Sequence, residues 1–209
     1  MHSLQCSRRA TRVQAPVIPI IGDLTRNAPG TLSLGQGVVR YGPPESASQA
    51  LKHYADSGTP LYGPVAGDPE LLAAIRQKLA SDNAIACGDE VGVMVTAGAN
   101  LAFANVVFAL VDPGDEVLLP APYYFNHEMA ISLANAHPIP VPTTEDRQLD
   151  IDRIEAAITP RTKAIVTVSP NNPTGAVYTR DSLNAVNRLC AERGLAHISD
   201  EAYEYFTFD

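Results

Sequence analysis

From Val91 to its last residue the chain alternates short apolar runs with helical stretches, and no other feature constrains the fold as tightly. "VGVMVTAG", "DEVLLPAP", "HPIPVPT", "KAIVTVSP" and "LAHISDEAY" read as strands, the third marked by prolines that suit a sheet edge. Between them "ANLAFANVVFALV", "YFNHEMAISLANA", "DIDRIEAAI" and "DSLNAVNRLCAERG" read as helices, the first apolar nearly all round and the last stopped by Gly194. Strands and helices in this alternation build right-handed βαβ units, so the expected fold is α/β with a mostly parallel sheet covered on both faces. Chemistry in such sheets gathers at the carboxyl ends of the strands.

Upstream, residues 1–44 are punctuated by Pro and Gly ("APVIPIIGD", "NAPGTLSLGQGVVRYGPP") and read as an extended arm, leaving 45–209 as the main domain. Within that domain "GDPELLAAIRQKLASDN" is an amphipathic helix. Asp68 is its N-cap, Pro69 its first helical residue, and Leu71, Leu72, Ile75 and Leu79 line one face. At 45% hydrophobic and 18% charged, the 209 residues are those of a soluble globular protein. A formal charge of −8 argues against a nucleic-acid or anionic-membrane partner, both of which call for a basic face. Cys6, Cys87 and Cys190 are odd in number and lack metal-ligand spacing, which fits reduced, buried thiols. No apolar run is long enough to span a bilayer. The start, "MHSLQCSRRATRVQ", is basic and free of acids but has no clear amphipathic repeat, so the cytoplasm is the default compartment.

The strand ends carry the candidate chemistry. "TAGAN" runs from a strand straight into a helix, and the N–H groups of Ala99, Asn100 and Leu101 after Gly98 form either an anion site or a plain turn. "PAPYYFNHE" offers Tyr123, Tyr124 and Phe125 as stacking faces or as aromatics packed under a loop, and His127 alone reads as a structural histidine. In "SPNNPTGAVY", Pro170 and Pro173 bracket an Asn-Asn pair and Gly175 closes a turn, so the amides sit on a stiff backbone. The last strand delivers Asp200 and Glu201 to the same edge, followed by Tyr203. An apolar strand ending in Asp-Glu also serves magnesium nucleotides, but that reading requires G-x-x-x-x-G-K-[ST] upstream, which is absent. "TAGAN" is likewise not the G-x-G-x-x-G of a dinucleotide fold.

Taken in order, "YGPVAGDPELLAAI", "TAGANLAF", "PAPYYFNHEMA", "SPNNPTGAVY" and "SDEAY" resemble the class I/II aminotransferases of pyridoxal 5′-phosphate (PLP) fold type I, in their aspartate aminotransferase-like branch. Each motif is modest, but five in register are specific. The resemblance runs from about Leu32 to the end and implies the three-layer αβα large domain of those enzymes, ending before its last strands. It also implies PLP as cofactor, amino acid and 2-oxo acid substrates, and a homodimer. By resemblance, the amides after Gly98, notably Ala99 and Asn100, bind the cofactor phosphate, and Tyr124 stacks on the ring. Asn172 and Tyr203 hydrogen-bond its phenolic oxygen. Asp200 pairs with the ring nitrogen, keeping it protonated so that the ring accepts electrons. His127 supports that aspartate, Tyr62 crosses to the partner subunit's phosphate, and Gly37 belongs to a gate near the substrate carboxylate.

The same resemblance calls for a lysine that bonds the cofactor and moves the substrate proton. Only Lys52, Lys78 and Lys163 exist here. The first two fall on expected helices upstream of the cofactor motifs. Lys163 stands at the start of its strand, roughly 16 Å from the carboxyl edge at ~3.3 Å per residue. Two expectations follow: an N-terminal portion of an aminotransferase, or of a PLP-dependent lyase, inactive alone; or a non-enzymatic remnant or dimerisation partner.

Overall fold

A computed structural model of the chain describes residues 4–14, 17–35, 37, 39, 41–57, 62–88 and 91–208. They group into two compact units, residues 15–94 and residues 1–14 with 95–209. The larger unit holds a four-stranded parallel sheet built from β1 (Glu116–Ala121), β2 (His137–Pro142), β3 (Thr162–Val168) and β4 (Ala196–Asp200), in the order β2-β1-β3-β4. Four helices of this unit flank it: α4 (Ala99–Leu110), α5 (Phe125–Leu133), α6 (Ile151–Ala156) and α7 (Arg180–Arg193).

Side-chain alternation along the central strands divides the core in two. Val117 and Leu119 of β1 join Ala164 and Val166 of β3 against Phe103 and Val107 of α4 and Ile131 of α5. Leu118 and Ile165 point the other way, onto Ile154 of α6 and Val186, Leu189 and Cys190 of α7. The result is the expected three-layer αβα arrangement. Of the three cysteines expected to be buried, Cys190 is, Cys87 is half-buried and Cys6 is exposed; burial pushes the Cys190 thiol up to about 11.

Local sequence explains the elements. In β2, Pro138, Pro140 and Pro142 recur at period two, so every missing N–H lies on one side of the strand. The odd positions face β1, where His137 N–H donates to Asp115 at 2.8 Å and Thr143 N–H to Ala121 at 3.2 Å. The prolines therefore face outward, and β2 is an edge strand as the sequence leads one to expect. Helix α7 starts where the Thr179 hydroxyl accepts from Ser182 N–H and stops at Gly194, whose φ of 65° is left-handed.

Two expectations change. The run "VGVMVTAG" is not a strand: no described strand lies beside it to complete a hydrogen-bonded ladder, and apolar β-branched content alone does not make one. Part of the expected extended arm is helical, as α1 (Val17–Arg26), with a 3₁₀ turn at Ala10–Arg12. Pro19 falls in the first turn of α1, where its absent N–H has no partner to lose. In the smaller unit, α2 (Glu45–Asp56) follows, then α3 (Pro69–Asp82) with the expected Asp68 cap, which accepts from Glu70 and Leu71 N–H. Among the described residues, no helix is long and apolar enough to cross a membrane.

Candidate functional site

The chain leaves β1 toward β2 on one side and later returns to place β3 on the other, so neighbouring β1 and β3 mark a topological switch point. At the carboxyl ends of these strands lies a cavity of about 190 Å³. It is lined by Gly98, Ala99 and Asn100, by Tyr124 beyond β1, by Asn172 beyond β3, and by Asp200 and Tyr203 at the end of β4. The structure thus gathers seven residues that the sequence places up to 105 positions apart.

Each is held for a local reason. Gly98 adopts φ 85° and ψ 164°, a backbone shape that L side chains rarely take, and this lets the chain turn directly into α4. No side chain caps α4, so its first N–H groups remain available. Tyr124 is the N-cap residue of α5, and its hydroxyl accepts from Asn126 Nδ2 at 2.7 Å. Asn172 Nδ2 donates to the Tyr203 hydroxyl at 3.3 Å.

Asp200 is the electrostatic centre. The β3–β4 register sets it opposite Val168, and Ser169 N–H donates to its carbonyl at 3.2 Å. Its Oδ2 lies 3.1 Å from His127 Nε2, and its Oδ1 accepts from Ala202 N–H at 3.1 Å. His127, in the first turn of α5, is 1% exposed and packs its ring 4.0 Å from that of Phe103. The hydrogen bond from His127, and then the Ala202 N–H, hold the Asp200 carboxyl below its ordinary value of 3.8 against the opposing effect of burial. Asp200 is therefore an anion with one edge toward the cavity.

His127 stands behind Asp200, away from the cavity lining. Gly37 and Tyr62 lie in the smaller unit, both exposed. Sequence reasoning passed over Ala97, Val168 and Ala202, which also line the cavity. Val168 was signalled only by ending an apolar strand, and Ala202 by standing inside "SDEAY". Lys163 occupies the second position of β3, at the amino end of the strand whose carboxyl end reaches the site. No described group of His, Cys, Asp and Glu could hold a metal ion.

Residues 29–209 match the family described as aminotransferase class I and II. The chain belongs to that family. It is 35% identical over 208 residues to a probable aspartate/prephenate aminotransferase of Aquifex aeolicus, covering 99% of this chain and 50% of that protein. It is 34% identical to aromatic-amino-acid aminotransferase 2 of Thermococcus litoralis, covering 97% of this chain and 53% of that one. Among solved structures, the aspartate aminotransferase of Thermus thermophilus with maleate superposes with a TM-score of 0.91 at 33% identity, over 100% of this chain and 56% of that one. The N-succinyldiaminopimelate aminotransferase of Mycobacterium tuberculosis gives 0.91 at 34% identity, covering 98% and 54%. The chain thus spans about half the length of the curated relatives it matches and corresponds to an N-terminal portion of them.

Proposed function

We propose that this chain provides the cofactor cradle for PLP-dependent transamination between an amino acid and a 2-oxo acid. The observation that carries the reading is the convergence of Asp200, Asn172, Tyr203, Tyr124 and the start of α4 on one cavity. That donor set suits the group. Uncapped helix N–H groups match a phosphate, Tyr124 a flat ring, and the Asn172–Tyr203 pair a phenolic oxygen. Asp200, kept anionic by His127, matches a protonated ring nitrogen. PLP, when bound, supplies an electron-withdrawing ring that acidifies the Cα–H bond of an amino acid. The chain's own part is to bind and orient: Asp200 holds the proton on the ring nitrogen, and α4 anchors the phosphate. Assembled as a homodimer, the chain would lend Tyr62 to its partner's site.

None of Lys52, Lys78 and Lys163 lines the cavity, and this favours a second reading, in which the isolated chain binds the cofactor without turning substrate over. Titration of the 209-residue chain with PLP, followed by absorbance, should show saturable binding that Asp200→Ala weakens. Borohydride reduction and digestion should then yield no stoichiometric pyridoxyl-lysine. Absence of saturable binding would remove the cradle. A full label on Lys163 would instead refute the claim that the chain lacks a cofactor-bonding lysine.

A further inference from the structure

Asn171 precedes the cavity residue Asn172 but does not itself line the cavity, and it is 5% exposed. Its side chain is engaged within its own loop. Asn171 Oδ1 accepts from both Thr174 N–H at 3.1 Å and the Thr174 hydroxyl at 2.8 Å, while Nδ2 donates to the Tyr178 hydroxyl at 3.3 Å. The backbone closes the same knot: Asn171 N–H donates to Ala176 at 2.8 Å and Gly175 N–H donates back to Asn171 at 2.8 Å. The Thr174 hydroxyl accepts from Ala176 N–H at 3.2 Å, and Ser169 Oγ accepts from Tyr178 N–H at 3.0 Å. Every one of these bonds lies between residues 169 and 178, and the one side-chain amide this loop turns into the cavity is that of Asn172.

We infer that Asn171 is a positioning residue that folds the 169–178 loop around its buried amide and thereby holds the neighbouring Asn172 against Tyr203. The requirement is chemical: one side chain must accept twice and donate once while almost wholly buried, which an aliphatic side chain of the same size cannot do. For cofactor binding the inference rests on the reading proposed above; for the placement of Asn172 it stands alone.

Two readouts test it on the 209-residue chain. In the ligand-free protein, the side-chain amide signals of Asn172 and the Tyr203 ring signals should move toward their unstructured positions in Asn171→Ala. In PLP titrations that variant should bind about tenfold more weakly, the loss expected from one or two displaced hydrogen bonds. Asn171→Asp should recover most of the affinity, because Oδ1 still accepts from Thr174 and the Tyr178 hydroxyl can turn to donate. Added to Asn172→Ala, the Asn171→Ala change should weaken binding no further. Multiplying losses in the double variant, or Asn172 signals unmoved by Asn171→Ala, would overturn the inference. If Asn171→Ala does not fold, Thr174→Ala replaces it and should move the same signals less; unmoved signals there count equally against it. A parent chain that fails to bind PLP would sink the cofactor reading, while the amide signals would still decide the role of Asn171.

Discussion

Two carboxylates stand at opposite ends of the same sheet, Glu116 at the amino end of β1 and Asp200 at the carboxyl end of β4. Both are held below their ordinary values, with opposite consequences. Glu116 is lowered first by the hydrogen bond from the Thr159 hydroxyl and further by Arg161, whose Nε donates at 2.9 Å. At 4% exposed it has no edge left for anything else. Asp200 is lowered chiefly by one buried histidine and keeps an edge toward the cavity. A carboxylate whose hydrogen-bonding capacity is filled by the protein is structural, and one left partly open is where a ligand belongs. The direction of the pKa shift does not separate the two, but what each faces does: Glu116 is closed off by its partners, and Asp200 lines the cavity.

Breaking each end should give distinct failures. Glu116→Ala has the largest expected effect on stability, about 2–3 kcal/mol, because it removes the acceptor of the Thr159 hydroxyl and the anchor for Arg161 together. In thermal unfolding this should lower Tm by about 5 °C or more while leaving the PLP affinity of the folded protein unchanged. Loss of affinity at constant stability would erase the distinction.

His127→Phe comes next, at about 1 kcal/mol, since the ring still packs on Phe103 but Asp200 loses its chief donor. Asp200 has a depressed folded pKa, so its contribution is complete above its ordinary value of 3.8 and disappears as pH falls through the folded pKa. The gap between parent and variant in urea unfolding should therefore be widest near neutrality and close in acid. A gap independent of pH would mean that His127 acts by packing alone.

Asp200→Asn should be the mildest in stability, within about 0.5 kcal/mol at neutral pH. Its effect should fall on the ligand. The ring-nitrogen pKa of bound PLP, read from absorbance across pH, should drop by about 1–3 units while the phosphate grip persists. An unaltered titration would place Asp200 outside the ring-nitrogen role.

The pattern of success from sequence follows the range of the forces involved. Helix α7 was legible because its apolar spacing and Gly194 stop are local, and β2 was legible as an edge because three prolines at period two leave no alternative. "VGVMVTAG" misled because strand formation depends on a neighbour, and α1 was missed because Pro19 was read without regard to its place in the first turn. At the site, strand ends marked Asp200 and the Asn171–Asn172 pair directly. His127 spoke only through the resemblance, since nothing in the chain announces a bond across 73 residues. Asn171 was invisible as distinct from Asn172, because burial rather than residue type separates them.

Cys190 gives the fold a built-in clock. Its thiol sits 2% exposed in the core layer between α6, α7 and the sheet, and burial holds it protonated across the neutral range. An alkylating reagent can reach it only when that layer opens. The rate at which Cys190 is modified therefore reports breathing of the face remote from the Phe103–His127 contact.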